Sequence, residues 1–178
     1  MGSDEERKVA TWYDTLSDSY DELYSKEQSA KHLTVLKFLR GKRFRTLVDI
    51  GSGTGGFLRR AEDVYDQGVG IDLSRNMLKI ARKEKPAHVD LIVATLSMLP
   101  IKSGTVDCTI SVSAAVADAE FPRTIREMER IGHPDSVKVF TILRPSNEST
   151  TLSLLRVAHS TKISDRETLY FLGPISRK

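Results

Sequence analysis

An α/β fold, a mostly parallel sheet covered by helices on both faces, is predicted for this 178-residue chain by two observations. Short apolar runs recur at Leu47–Ile50, Gly68–Ile71, Leu91–Val93, Cys108–Val112 and Val137–Leu143, separated by helical or turn segments. Such runs, apolar throughout rather than alternating, suit strands buried on both faces. The nine residues Asp49-Ile50-Gly51-Ser52-Gly53-Thr54-Gly55-Gly56-Phe57 follow the first run and open an amphipathic stretch. The chain therefore passes from a strand through a tight glycine turn into a helix.

The elements follow in order. Trp12, Tyr13, Leu16, Tyr20, Leu23 and Tyr24 recur at helical spacing and predict an N-terminal amphipathic helix. A second helix carries Ala30, Leu33, Leu36 and Leu39 and stops at Gly41, with the basic run Arg40, Lys42, Arg43, Arg45 leading into the first strand. After the glycine turn, Phe57, Leu58, Ala61, Val64 and Tyr65 form the buried stripe of a helix. The second strand ends at Asp72, and Ser74 caps a helix bearing Met77, Leu78 and Ala81 that Pro86 closes. Beyond Pro145 a helix is expected through Leu152, Leu155 and Ala158. Lys162-Ile163 and Glu167–Leu172 then read as a closing hairpin around Ser164-Asp165-Arg166.

The length fits a single domain, with N-terminal helices over residues 1–45 and the core over 46–178, and leaves no room for a large second one. With 27 Lys and Arg against 24 Asp and Glu, the net charge of +3 describes a solvated charged surface and only mildly favours an anionic partner such as RNA. No apolar run approaches the ~20 residues of a membrane span. The polar start Gly2-Ser3-Asp4-Glu5-Glu6 is unlike a signal peptide, so the expected location is cytoplasmic, away from membranes. The single cysteine, Cys108, excludes an intrachain disulfide and a cysteine-based zinc site, and reads as a small buried hydrophobe. His88, His133 and His159 show no mutual ligand spacing, so no metal is expected.

The glycine turn is where a ligand meets the backbone. Its spacing fits both a dinucleotide site and an S-adenosylmethionine (SAM) site, since Gly51, Gly53 and either Gly55 or Gly56 satisfy it. Asp49 separates the two. A carboxylate just before the turn repels an anionic pyrophosphate but attracts the ammonium and sulfonium of SAM.

Asp49–Gly56, the acid-ended Gly70-Ile71-Asp72-Leu73-Ser74, the Leu99-Pro100-Ile101 step and Gly104-Thr105-Val106-Asp107 together resemble the class I SAM-dependent methyltransferases, and within them the methyltransferase type 11 family. The resemblance covers most of the chain. It implies a Rossmann-like, seven-stranded sheet ordered 3-2-1-4-5-7-6 with the seventh strand antiparallel, and SAM as cofactor. It places Asp49 near the cofactor's amino group and Gly51, Gly53 and Gly55 against its methionine and ribose portions. Asp72 is expected on the ribose hydroxyls, Leu73 against the adenine, and Tyr20 and Ser111 among the cofactor contacts. Where relatives often carry an acid for the adenine amino group this chain has Thr95, a neutral acceptor worth roughly 1 kcal/mol less, with the N–H of Leu96 beside it. Trp12-Tyr13-Asp14 and Tyr20-Asp21 resemble an N-terminal helix that folds over the cofactor, although a helical aromatic stripe such as Tyr13, Tyr20 and Tyr24 equally suits plain packing.

Methyl transfer from a sulfonium needs positioning and desolvation, with a general base optional, and no catalytic residue is assigned. Asp118 and Glu120, beyond the fourth strand, are acceptor-side candidates. His32 is either a helix-surface histidine or a base. The Asn-Pro-Pro-Tyr clamp of several amino-group methylases is absent. With little sequence left to enclose a small metabolite, the expected acceptor is tRNA or rRNA of the translation apparatus; a small molecule, or a noncatalytic SAM-binding subunit, is the alternative. Thr109–Ala115 also looks like the strand-four region of small ribosomal-RNA guanine-N7 methyltransferases, whose relatives often work with a small zinc-binding activator protein. The third strand, Val89-Asp90-Leu91-Ile92-Val93, lies at a sheet edge in that order with few charges to guard it, and is the expected seat of such an activator or of a second copy in a homodimer.

Overall fold

The computed structural model describes residues 4–114, 121–143, 157–165 and 167–173. Its elements are α1 (Asp4–Leu39), β1 (Phe44–Ile50), α2 (Gly56–Arg60), a 3-10 turn (Glu62–Val64), β2 (Tyr65–Asp72), α3 (Arg75–Glu84), β3 (Val89–Val93), β4 (Val106–Ser111), α4 (Phe121–Ile131), β5 (Gly132–Leu143), β6 (Val157–Ser164) and β7 (Glu167–Leu172). Seven strands form one sheet in the order β3-β2-β1-β4-β5-β7-β6. Strands β1 to β5 pair in parallel, while β7 runs antiparallel between β5 and β6. The fold class and strand order are those expected.

Alternate residues of each strand serve opposite faces of the sheet. Leu47, Cys108, Val137, Leu169 and Phe171 pack under Val35 and Leu39 of α1 and Phe57 and Leu58 of α2. Their neighbours Val48, Val106, Phe140, Tyr170 and Leu172 pack under Ile125, Met128 and Ile131 of α4. Cys108 is fully buried among these, as a small apolar residue would be. Asp107, just before it, accepts the Thr46 N–H at 2.7 Å and contacts His133 Nε2 at 3.0 Å, so this acid of the sequence pattern joins the starts of β1 and β5.

Three expectations are corrected. The two N-terminal helices are one, α1, because no Gly or Pro interrupts residues 4–39 and the i→i−4 ladder need not break. The helix after the glycine turn is a single turn: Val64 ends the 3-10 segment and Tyr65 already belongs to β2, paired with Phe44 of β1. The Tyr65 hydroxyl donates to the Leu58 carbonyl at 2.8 Å, satisfying a group at the end of α2 that a longer helix would have used. Ala158, expected in a helix, lies in β6; Pro145, Leu152 and Leu155 lie outside the described residues. The closing hairpin is β6–β7.

Candidate functional site

The glycine turn lies at the carboxyl end of the parallel strands, where open α/β sheets leave a crevice. It is held to β2 by the N–H groups of Gly51 and Ser52, which donate to the Ile71 carbonyl at 2.7 and 3.0 Å. Gly51 adopts φ +77°, and a Cβ there would collide with Ala114, which follows β4. Gly53, at φ +51°, has no protein atom within 4 Å of where its Cβ would point. Space is left beside the backbone at Gly53, and it belongs to two cavities.

The first cavity, about 660 Å³ including its mouth, is lined by Gly51, Gly53, Asp72, Leu73, Ser74, Met77, Thr95, Leu96, Val112, Ser113 and Ala114, and roofed by Val9, Ala10, Tyr13 and Tyr20 of α1. The second, about 730 Å³ on the same measure, shares Tyr20, Gly51, Gly53 and Val112 and adds Asp49, Ser52, Thr54, His32, Arg59 and Arg60. Tyr20 and the glycine turn therefore stand between two compartments of one cleft.

Two carboxylates face each other across the turn. Asp49 is buried, and burial first, then the neighbouring charge of Asp72, pushes its pKa up to about 7. Asp72 is also raised by burial, which outweighs the opposing N–H groups of Ser74, Gly53 and Leu73. Its Oδ2 accepts from Gly53 and its Oδ1 from Ser74, each at 2.8 Å, which leaves acceptor positions on both oxygens. The Ser52 hydroxyl is buried without a hydrogen-bond partner. A pair of carboxylates raised by burial, an unpartnered hydroxyl and a cradle that a Cβ would fill suit a cationic ligand with hydroxyl groups.

Helix α1 is held across the cleft by Arg60, which donates to Ser29 Oγ at 2.9 Å, and by ties at Asp14, Asp21 and Lys31. Asp14 Oδ1 accepts from the Ser74 hydroxyl and from Asn76 N–H at 3.1 Å, so it caps α3 from outside together with Ser74, whose Oγ accepts from Met77 N–H. Asp21 accepts from the Thr54 hydroxyl at 2.8 Å. Lys31, 2% exposed, donates to Ser113 Oγ at 2.7 Å and pairs with Glu27 and with the equally buried Glu167 of β7. The short polar spacing Asp14-x6-Asp21 on one helix was the only sequence signal for these ties; the Lys31–Glu167 pair had none.

Of the expected contacts, Asp49, Gly51, Gly53, Asp72, Leu73, Thr95, Leu96 and Tyr20 line the two cavities. Two do not. Gly55 caps α2 in a left-handed conformation against Ala81, and Ser111 is buried at the end of β4, paired with Phe140, so Val112, Ser113 and Ala114 form the wall instead. Thr95 Oγ1 bonds Ser97 Oγ at 2.9 Å, shaping its own loop. His32 is not on the surface: it packs edge-on against Phe57 beside Arg60, and burial, then Arg60, Lys31 and Arg59, hold its pKa down to about 4. Tyr13 and Tyr20 are raised by burial first, Tyr20 then by Tyr13 and Tyr13 by Asp72. Asp118 and Glu120 lie outside the described residues. Among the described residues no His, Cys, Asp and Glu cluster could hold a metal, and no helix is long and apolar enough to cross a membrane.

The family model described as "methyltransferase domain" matches residues 48–140, the span from β1 through most of β5. An uncharacterised protein of Methanocaldococcus jannaschii is 30% identical over 140 residues, 78% of this chain and 53% of that protein. A demethylmenaquinone methyltransferase of Listeria welshimeri is 27% identical over 146 residues, 75% of this chain and 61% of that one. The chain thus spans about half to three-fifths of the length of these curated relatives. Among solved structures, the putative methyltransferase in complex with the Haloferax volcanii Trm112 methyltransferase activator superposes with a TM-score of 0.79 at 18% identity, covering 96% of this chain and 99% of that one, a likeness of fold.

Proposed function

The chain belongs to the methyltransferase domain family and uses S-adenosylmethionine, and we propose that it transfers the methyl group to RNA of the translation apparatus, working with a small activator protein. The observation that carries the site assignment is the pair of carboxylates flanking Gly51–Gly53, Asp49 buried and Asp72 half-buried. In this reading Asp72 and Leu73 hold the adenosine end in the first cavity, with Thr95 and Leu96 at the base. Asp49 receives the ammonium in the second, where Arg59 and Arg60 supply cations for the methionine carboxylate. When bound, SAM supplies a methyl group on an already activated sulfur; the chain's part is to orient it and exclude water.

Support for the partner comes from β3. Among the described residues it pairs with β2 alone; on its outer side Val89 is already met by the Pro86 carbonyl and by Lys85 Nζ, which leaves the outward backbone groups of Leu91 and Val93 for another strand. Val93 is 47% exposed, and Leu78, Leu91 and Val93 floor a groove rimmed by Arg75, Lys79 and Arg82. A strand with carboxylates would complement that rim, whereas a second copy pairing edge to edge would set cations against cations, which favours the activator over a homodimer. The fold neighbour seen with an activator agrees with this.

A small-molecule acceptor is the second reading, favoured by the demethylmenaquinone relative and by the roof that α1 makes. Tritiated methyl transfer from SAM to total RNA, protein and metabolite fractions, with and without an added activator, separates the two. Label in metabolites alone would overturn the RNA reading.

A further inference from the structure

The wall of the cleft beyond β4 holds a polar group, Ser113, to which the reading above gives no cofactor contact. Ser113 adopts φ +59°, a left-handed conformation that a serine rarely takes. It is held there from three sides: its N–H donates to Thr141 Oγ1 on β5 at 2.7 Å, its hydroxyl accepts from Lys31 on α1 at 2.7 Å, and it lies 3.1 Å from Glu167 Oε1 on β7. Lys31 and Glu167 are both nearly inaccessible. Glu27, on the outer side of Lys31, is the only other charged partner of this cluster among the described residues. Strain of this kind persists where the surroundings over-determine it, and it gathers at functional positions.

Geometry gives the hydroxyl its direction. Its hydrogen is committed to Glu167 and one lone pair to Lys31, so one lone pair remains, and Ser113 is part of the first cavity's wall. The next residue, Ala114, presses on Gly51, the turn position at which the reading above sets the ribose and methionine portions together. Ser113 therefore stands on the cavity wall one residue from the contact with Gly51, the place at which that reading sets the methyl group.

We propose, resting on that reading of the site, that Ser113 and Glu167 form a proton relay for the acceptor, and that the acceptor atom is a nitrogen or oxygen that carries a hydrogen. The acceptor N–H or O–H donates to Ser113 Oγ. Its proton passes to that oxygen as the serine hydrogen passes to Glu167 Oε1. The electron pair left on the acceptor forms the new bond to the methyl carbon, and the pair of the broken carbon–sulfur bond stays on sulfur, so the sulfonium becomes a thioether. Glu167 takes up the one proton released. Lys31 is a positioning residue that holds the Glu167 side chain by its ion pair and fixes the serine rotamer by its hydrogen bond. A ring nitrogen attacking through a bare lone pair has no proton to give and draws nothing from this relay.

Ser113→Gly is the cleanest test, because glycine adopts φ +59° without strain while the side chain that carries the hydroxyl is removed. Measured with tritiated SAM on the fraction that the wild type labels, Ser113→Gly should lose on the order of 100-fold in kcat, the scale of general-base catalysis. The SAM dissociation constant should stay within about threefold, and the melting temperature should fall modestly, because buried Lys31 and Glu167 each lose a hydrogen-bond partner and relief of the left-handed backbone offsets only part of that. Glu167→Gln should show the same kcat loss with its solvent isotope effect abolished, Ser113→Gly serving as the readout if that variant does not fold. A Ser113→Gly enzyme within about threefold of wild-type kcat, or one whose SAM affinity falls in step with its rate, would overturn the relay while the methyltransferase reading stands. A wild type that binds SAM and labels no fraction would remove that reading and the relay with it.

Discussion

Acidifying the solution should loosen the hold on S-adenosylmethionine, and Asp49 sets by how much. With a pKa near 7 in the ligand-free chain, Asp49 is about half protonated at neutral pH. The ammonium and sulfonium demand its carboxylate form, so binding must first strip the proton. If the bound form stays ionised throughout, the apparent dissociation constant scales as one plus the ratio of protonated to ionised Asp49. It rises roughly fivefold from pH 7 to about pH 6 and roughly tenfold more to about pH 5. The window stops at neutrality because the α-amino group of SAM itself titrates near pH 8. Calorimetry in buffers of different ionisation enthalpy should register about 0.9 proton released per site near pH 6. The sign for folding is opposite. A carboxyl whose pKa is raised on folding contributes stability below its unfolded value that is lost as pH rises through about 7. The interval from 3.8 to about 7 corresponds to an upper bound of roughly 4 kcal/mol, shared with the coupled Asp72. Asp49→Asn should thus stabilise the ligand-free chain at about pH 8 while weakening SAM binding and flattening its pH dependence. A SAM affinity constant between pH 5 and pH 7, with no proton released, would refute the reasoning.

Gly53→Val should abolish SAM binding by calorimetry, because its side chain would enter the open space beside the turn in a conformation that valine resists; retained binding would place the ligand elsewhere. Asp72→Ala should weaken SAM by on the order of 1–3 kcal/mol and also lower the melting temperature, since Gly53 and Ser74 lose their acceptor. An unchanged SAM affinity would show that the ribose does not meet this carboxylate. Asp14→Ala should cost about 1 kcal/mol of stability and speed cofactor dissociation in stopped-flow, as one tie between α1 and α3 is cut; an unaltered off-rate would mean that the tie does not restrain the roof. Val93→Lys should prevent association with an added activator while SAM affinity stays within about twofold. Complex formation by this variant in light scattering would move the partner to another face.

The features legible in the sequence are those whose causes are close in the chain. Asp49 and the glycines of the turn declare themselves by adjacency, Asp72 by ending an apolar run, and Ser74 by the helix that follows it. The strand order came through the resemblance, since nothing local dictates which strands become neighbours. What stayed hidden depends on partners remote in sequence. His32 is buried only because Phe57 and Arg60 arrive against it. Helix α2 stops early because Tyr65 is claimed by Phe44 in the sheet. Ser111 gives way to Ser113 as a wall residue because the chain turns into the left-handed region at that point, held by a lysine from one end of the sequence and a glutamate from the other. The unbroken α1 was readable, since residues 4–39 contain neither Gly nor Pro.

That unbroken helix acts mechanically as a stiff beam. A two-helix cover could release one segment while the other stayed docked, but a single hydrogen-bonded rod of 36 residues has no interior joint at which to bend. Its nearest swivel is Gly41, at φ +76° with nothing crowding it. Rotation about it is resisted at the near end, where Val35 and Leu39 are buried in the core and Lys31 is held by Ser113 and Glu167, so any displacement of the beam is largest at its Asp14 end. Loosening of the cover therefore proceeds as a peeling from the free end, past the tie at Asp14 and then that at Asp21, with the polar joint at Ser113 the last to part.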